Sequence, residues 1–367
     1  MLHRPLHPAS PGGARTGMLA ALALLASAAA AVACPVCYDS SGEPVTIGQQ
    51  LEAADRAVLA APAAGASQLR VVGVVKGEGA VGDVLSEPVA DVIEDDDVAL
   101  DHGPIERAGD PLLLLRDGFV PRWTNLGTVG IRYAGWLQQI AAIPLSNSEE
   151  CWHRRVALAL GHLEDPDPMV AQIAWGEVAR APYSAMSAAR SRLDGPTVTG
   201  WLYNPALPPR RAAYTLLLGF VGGPAAAALL EQRIDSSRRS HDTTNLAAVL
   251  TADLELRGPS RVNWVETAYL ADRSRTMPEI EAALLALNVL GDASGTIRRE
   301  RVIQAYLGFI QERPQMAGFV ARQLADWGFW GARAQYTALL GSNAIKDPAA
   351  QLAVVDYLQR AADAAIQ

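Results

Sequence analysis

The residues best suited to chemistry are three cysteines, Cys34, Cys37 and Cys151, together with His153. Cys34 and Cys37 form a Cys-x-x-Cys motif, which can lower the pKa of a thiol and so favours redox chemistry. Cys151 and His153 are side chains of the kind that hold zinc in tetrahedral sites. The motif lies outside any βαβ pattern and no spacing predicts a metal site. We therefore expect structural roles, with redox or metal binding as the alternative.

The N-terminal residues predict where these cysteines act. Arg4 and Arg15 precede a run of apolar and small residues over positions 18–31, and small residues at positions 31 and 33 fit a cleavage site. This pattern predicts a signal peptide over residues 1–33 and export to the periplasm or cell envelope. Residues 31–34 also resemble a bacterial lipobox, although alanine stands at position 31 where leucine is usual. The resemblance implies lipid anchoring of Cys34 to a membrane, with simple secretion as the alternative.

The state of Cys34 decides which disulfide can form. An odd number of cysteines in an oxidising compartment leaves one without a disulfide partner inside the chain. If Cys34 carries a lipid, Cys37 and Cys151 are the remaining pair. If it does not, Cys34 and Cys37 can pair and leave Cys151 free. The sequence leaves both pairings open.

Composition and motifs exclude several classes of function. The chain has 367 residues and a formal net charge of −8, with no basic domain, so we expect no nucleic-acid partner. We also expect no transmembrane helix in the mature chain. The nucleophile elbow, the phosphate loop and the His-Glu-x-x-His helix are missing from the sequence, which predicts a protein that is not an enzyme and has no cofactor or metal. The four Arg-Arg pairs, at 154–155, 210–211, 238–239 and 298–299, are predicted to lie on solvated helix faces.

Residues 34–145 are predicted to form a small β-rich domain. Short runs rich in valine and leucine, at 57–59, 68–75, 81–84, 111–115 and 123–129, alternate with glycine, proline and aspartate. This pattern favours a small barrel or sandwich. The acidic run 94–97, with Asp101 and His102 nearby, is expected to be a solvated loop, because it lacks the ligand spacing of a calcium-binding loop.

The order of parts in this region resembles netrin-like modules, the OB-type barrels of tissue inhibitors of metalloproteinases. The resemblance rests on Cys34, Asp55 and the Val-Val-Lys-Gly run at 74–77, and it covers about 80 residues. It implies a protease-inhibitor module in which Cys34 chelates a protease zinc. Three cysteines cannot supply the disulfide framework of that family, and lipid on Cys34 would block the chelation.

Residues 146–367 are predicted to form an α-helical domain. Apolar residues three or four apart recur in successive segments, and helix-start signals such as Asp167-Pro168 and Asp347-Pro348 precede several of them. The segment beginning at Asp347 carries Leu352, Val355, Leu358 and Ala362. Such helices cannot bury their apolar stripes alone, so they are expected to stack in pairs. The Asp-Pro openings and alanine- and leucine-rich helices resemble HEAT-type α-solenoid repeats over residues 150–365, without a strict period.

These observations predict a mainly α protein with a small β domain. The resemblance to HEAT repeats implies protein binding, and the sequence predicts an exported, non-enzymatic scaffold of the cell envelope. Redox or metal binding and protease inhibition are the alternatives. Trp327, Phe329 and Trp330 are predicted to pack between helices or to form an exposed aromatic patch for a protein partner.

Overall fold

The computed structural model describes residues 36–37, 45–63, 68–91, 107–118, 122–144, 146, 148–204, 207–293 and 295–366. The predicted signal peptide, Cys34, the acidic run 94–97, Asp101 and His102 lie outside these residues. The described residues after position 31 belong to one compact unit. The boundary between domains at 145–146 stays a prediction.

The described part of the N-terminal region contains one five-stranded mixed sheet. Its strands are β1 (Arg56–Pro62), β2 (Leu69–Lys76), β3 (Val89–Asp91), β4 (Leu112–Arg116) and β5 (Trp123–Thr128), in the spatial order β2-β1-β4-β5-β3. Four of the five predicted strands are confirmed. The predicted strand at 81–84 is reduced to a single bridge between Val84 and Arg70. The short strand β3, which the sequence did not indicate, pairs in parallel with β5.

One side of the sheet is held by an apolar cluster. Val58 and Ala60 of β1, Leu114 of β4 and Trp123 of β5 are fully buried there with Val71 and Leu85. Alternate residues of a strand point to the same face, so β1 supplies two neighbours to this cluster. Val58, Val71, Leu114 and Trp123 of this cluster belong to the runs that predicted the strands.

Fifteen α-helices lie in the described part of the chain. They are α1 (Ile47–Ala53), α2 (Ala134–Ala141), α3 (Glu149–Ala159), α4 (Pro168–Ala179), α5 (Tyr183–Ala188), α6 (Gly195–Tyr203), α7 (Arg211–Val221), α8 (Pro224–Ser240), α9 (Leu246–Arg257), α10 (Ser260–Val265), α11 (Met277–Ala293), α12 (Arg299–Glu312), α13 (Ala321–Asp326), α14 (Arg333–Gly341) and α15 (Pro348–Ala364). The predicted fold class, mainly α with a small β region, is confirmed. Among these residues, no helix combines the length and the apolar character that crossing a membrane requires.

The local signals that predicted helix starts are present. The Asp167 carboxylate accepts hydrogen bonds from the backbone N–H groups of Met169 (3.1 Å) and Val170 (3.3 Å), and Pro168 occupies the first turn of α4. Such a cap satisfies donors that no intrahelical carbonyl can reach. The predicted stripes on α4 and α9 are buried.

The helices stack in successive layers. The central helices α7, α9 and α11 pack side by side, α8 packs on α9, and α12 packs on α11. Helices α7 and α9 approach closely at Gly219 of α7, where an added Cβ would lie 2.7 Å from Cα of Ala252 on α9. This arrangement is compatible with a helical repeat domain.

A buried ionic cluster joins the N-terminal region to the helices. The cluster consists of Glu52 of α1, Arg155 of α3, Glu177 of α4 and Arg180 directly after α4. Glu177 is fully buried and Arg155 is 2% exposed. Arg155 pairs with Glu52 and with Glu177 (3.1 Å), and it also donates to the carbonyl of Ile143 (3.1 Å). Arg180 pairs with the same two carboxylates. The prediction that Arg155 is solvated is wrong, because carboxylates from two other helices compensate its charge.

A second ionic cluster fixes the start of α11. Glu279 is fully buried and accepts hydrogen bonds from the Thr276 backbone N–H (2.8 Å) and from Arg275 (2.8 Å). The His241 ring lies 3.0 Å from the same carboxylate. Burial alone would raise the pKa of Glu279, but these hydrogen bonds outweigh burial and lower the pKa to about 2. Thr276 and Glu279, three residues apart, have the spacing of a capping box at the start of α11.

The lowered pKa of Glu279 leads us to expect that the protein loses stability in acid. A carboxylate with a lowered pKa stabilises the fold above its unfolded pKa of about 4.5, and that stabilisation is lost as the pH falls toward its folded pKa. We expect Glu279→Gln to lower the unfolding free energy by about 1.5–3 kcal/mol at pH 7. The difference from the parent protein should shrink as the pH falls from 4.5 toward 2. Urea unfolding at a series of pH values measures the difference in unfolding free energy between the two proteins. A difference that does not change with pH would contradict the lowered pKa of Glu279.

Candidate partner-binding surface

The three aromatic residues predicted as a partner patch lie just after α13 and are half-buried. The Trp327 ring stacks on Tyr306 of α12, with ring centroids 5.7 Å apart and planes 7° apart. Its indole N–H donates to the Asp292 carboxylate of α11 at 2.6 Å. Trp327 therefore ties the end of α13 to two earlier helices.

Phe329 and Trp330 position the last helix. The Trp330 ring lies 5.4 Å from the ring of Tyr357 on α15, and the Tyr357 hydroxyl donates to the carbonyl of Phe329 at 2.8 Å. Tyr357 is fully buried. These aromatic residues contribute packing inside the chain, as the first of the two sequence interpretations expected. Direct contact of this patch with a partner stays a prediction.

One face of α15 is covered by the helical domain. The helix starts at Asp347, whose carboxylate caps the backbone N–H of Ala350 at 2.7 Å, with Pro348 in the first turn. The buried residues Ala350, Val354, Tyr357 and Ala361 face the segment Pro314–Val320 and helices α13 and α14. Gly318 permits the close approach, because an added Cβ there would lie 2.6 Å from Cα of Ala350.

The opposite face of α15 is apolar as well, and it is exposed. Leu352 is 70% exposed and Val355 is 50% exposed, and Ile366 just after the helix is 85% exposed. Leu352 and Val355 belong to the apolar stripe from which this helix was predicted. These two residues of the stripe therefore point outward. A different set of apolar residues, smaller on average, fills the interface. The helix thus has two apolar faces, only one of which is covered by described residues.

The spacing on the exposed face matches a coiled-coil seam. On α15, positions 352, 355, 359 and 362 alternate steps of three and four, and they hold leucine, valine, glutamine and alanine. Such a seam packs against a second helix through side chains that enter holes of the facing helix. The exposed carboxylates of Asp356 and Asp363 lie along one flank. The arrangement therefore suits an amphipathic helix with an apolar seam and basic flanking residues.

The structure separates the described cysteines by environment. Cys37 is fully buried, whereas Cys151 is a half-exposed thiol in the first turn of α3. Cys151 forms no disulfide with any described residue, so this structure does not contain a Cys37–Cys151 bridge. The choice between the two pairings, and the lipid on Cys34, stay predictions because Cys34 lies outside the described residues.

The residues of the alternative metal site do not converge in the described ranges. The His153 ring nitrogen Nε2 lies 3.6 Å from the carboxylate of Glu149, one turn earlier on α3. No three histidine, cysteine, aspartate or glutamate side chains in the described part of the chain are placed to hold a metal ion.

A polar cluster that the sequence did not indicate lies where the sheet region meets the helices. The Tyr133 hydroxyl donates to Asp165 at 2.5 Å, and the His162 ring nitrogen Nδ1 lies 3.0 Å from the other oxygen of Asp165. Arg132 donates to the Tyr133 hydroxyl at 2.8 Å. A surface pocket of about 210 Å³ beside them is lined by Arg107, Asp110, Gly130, Ile131, Arg132 and Asp167. This contact could not be predicted from the sequence, because Tyr133 and Asp165 belong to different elements.

No protein-family model, no curated protein and no solved structure matches this chain.

Proposed function

We propose that this protein is an exported, non-enzymatic scaffold of the cell envelope, whose HEAT-like helical domain binds a protein partner. The observation that carries the proposal is the exposed apolar seam of α15. Leu352 and Val355 project from a helix whose other face is held by Tyr357. Covering a leucine or valine side chain stabilises a complex by about 1.5–3 kcal/mol. Export and a lipid on Cys34 would place this seam at the envelope.

The charges beside the seam favour a partner helix with basic flanking residues. Asp356 and Asp363 are exposed, and Asp356 shares Arg360 with Asp326, which also pairs with Arg322. A facing helix with lysine or arginine at its flanking positions would complement these carboxylates, whereas acidic flanks would repel them. Gln359 in the middle of the seam favours one register, because any other register would bury its amide against apolar side chains.

A pair of synthetic helices tests the proposal on the full exported chain. Both peptides carry a leucine and isoleucine seam, one with lysine flanks and the other with glutamate flanks, and fluorescence anisotropy measures binding. We expect the lysine peptide to bind at least about tenfold more tightly. The double variant Leu352→Gln/Val355→Gln should lose about tenfold or more of this affinity. Val81→Gln, at a valine that is 69% exposed near the sheet, is the matched control and should bind normally.

Two outcomes would contradict the proposal. Equal binding by the double variant and the parent protein would show that α15 does not carry the interface. The second outcome concerns self-association, and sedimentation equilibrium measures whether the protein forms dimers. If the protein dimerises and the double variant is monomeric, a second copy of this chain occupies the seam in place of another protein.

A further inference from the structure

The surface pocket where the sheet region meets the helices is lined by charges of both signs. Its volume is about 210 Å³, and its charged lining residues, among those that the structure describes, are Arg107, Asp110, Arg132 and Asp167. Ligand pockets of proteins are usually larger, about 300–1,000 Å³, so this pocket suits a small molecule. Because two cations and two carboxylates line it, a ligand with charges of both signs complements it better than a ligand with one charge.

A tight turn supplies two of these charges. Residues 107–110 are Arg-Ala-Gly-Asp, and the backbone N–H of Asp110 donates to the carbonyl of Arg107 at 3.3 Å. Gly109, the third residue of the turn, has a φ of 92°, which glycine adopts without strain. The backbone N–H of Arg107 donates to the Thr128 hydroxyl at 2.6 Å, which ties the turn to the end of β5. The turn thus places Arg107 and Asp110 at its two ends, where both line the pocket.

A hydrogen-bond network holds the third charge in place. Arg132 donates to the Tyr133 hydroxyl at 2.8 Å, and its guanidinium carbon lies 4.7 Å from the centre of the Tyr133 ring. Tyr133 is 9% exposed, and its hydroxyl in turn donates to Asp165, which also contacts His162. A side chain that is already held in one position loses less conformational freedom when it binds a ligand. Arg132 is therefore preorganised at the pocket.

Three of the four charges are available to a ligand. Asp167 is 1% exposed, and its carboxylate already accepts hydrogen bonds from two backbone N–H groups of α4 and from that of Gly130 (2.8 Å). The side chains of Arg107 and Asp110, in contrast, form no hydrogen bond and no ion pair with any residue that the structure describes. Arg132 donates one N–H to Tyr133 and keeps its other N–H groups for a ligand. Two guanidinium groups and one carboxylate can thus meet a bound molecule.

We infer that this pocket binds a free α-amino acid in its zwitterionic form. The α-carboxylate meets the guanidinium groups of Arg107 and Arg132, whose planar forks match carboxylate oxygens. The α-ammonium group lies against Asp110, and the negative charge of Asp167 adds to this attraction. Ile131, which is 49% exposed, gives the lining an apolar surface for the side chain of the ligand. The site is independent of the proposed partner surface on α15.

Calorimetric titration of the full chain with glycine, L-serine and L-leucine tests this inference. The amino acid that binds most tightly is then compared with two blocked forms. Its N-acetyl form lacks the positive charge, and its amide lacks the negative charge. We expect saturable binding of at least one amino acid, and at least about tenfold weaker binding of each blocked form.

Substitutions in the lining assign each charge to one part of the ligand. Arg107→Gln and Arg132→Gln should each weaken binding of the amino acid by about tenfold or more. Asp110→Asn should weaken it by a similar factor and strengthen binding of the N-acetyl form, because the variant removes a charge that repels the carboxylate. Arg122→Gln is the control, at an exposed arginine next to β5 that does not line the pocket, and it should bind like the parent protein.

Three results would overturn the inference. If none of the three amino acids bound, the charges of the pocket would be solvated or would pair with one another. Equal affinity for the amino acid and for one of its blocked forms would show that the pocket does not require charges of both signs. Unchanged affinity in the variants of Arg107, Asp110 and Arg132 would show that the amino acid binds elsewhere on the protein.

Discussion

Replacing Glu177 with glutamine is expected to lower the free energy of unfolding by about 3–5 kcal/mol. Glu177 is fully buried and pairs with Arg155 at 3.1 Å and with Arg180 at 2.7 Å. Without its charge, both guanidinium groups depend on Glu52 alone, whose side chain is 12% exposed. One buried positive charge would then lack compensation. Glutamine has almost the same volume as glutamate, so the loss reports on charge rather than packing.

Chemical denaturation followed by far-UV circular dichroism measures this effect. Glu281→Gln is the control, because Glu281 is an exposed glutamate on α11, and it should change stability by less than about 0.5 kcal/mol. If Glu177→Gln were equally mild, the ionic cluster would not hold α1 against α3 and α4. Exchange of the Gly48 amide should also rise in the variant, because Gly48 contacts the carboxylate of Glu177.

Replacing Gly318 with alanine is expected to lower the unfolding free energy by about 1–3 kcal/mol and to loosen α15. The added Cβ would lie 2.6 Å from both Cα and Cβ of Ala350, so the backbone of α15 must move away. The hydrogen bond from Tyr357 to Phe329 and the contact of Trp330 with Tyr357 depend on that packing. Affinity for the lysine-flanked helix should therefore fall as well.

A second glycine provides the matched control for this substitution. Gly308 lies inside α12, and an added Cβ there meets no atom within 4 Å. Gly308→Ala should stabilise the protein by about 0.5–1 kcal/mol, because alanine loses less backbone freedom in a helix. Hydrogen exchange across residues 348–364 measures the local effect. Unchanged protection of α15 in Gly318→Ala would show that the interface adapts to the methyl group.

The sequence by itself determined the local features of this protein. These features are the helix starts at Asp167-Pro168 and Asp347-Pro348, the buried stripes of α4 and α9, and four of the strands. Each depends on the types of residues that are close together in the sequence. Capping and periodicity depend on neighbours a few residues away, so one sequence is enough to predict them. The fold class, mainly α with a small sheet, followed from the same local signals.

Only the tertiary structure decided which apolar face of α15 is covered. Both faces fit a helical period, and the outward residues Leu352 and Val355 formed the more prominent stripe in the sequence. Ala350 and Gly318, which are small enough for close packing, selected the inward face. The same holds for Arg154 and Arg155, which the sequence presented as one of four similar Arg-Arg pairs. Arg154 is exposed, whereas Arg155 meets Glu52 and Glu177, because charge compensation depends on residues that the fold brings together from distant positions.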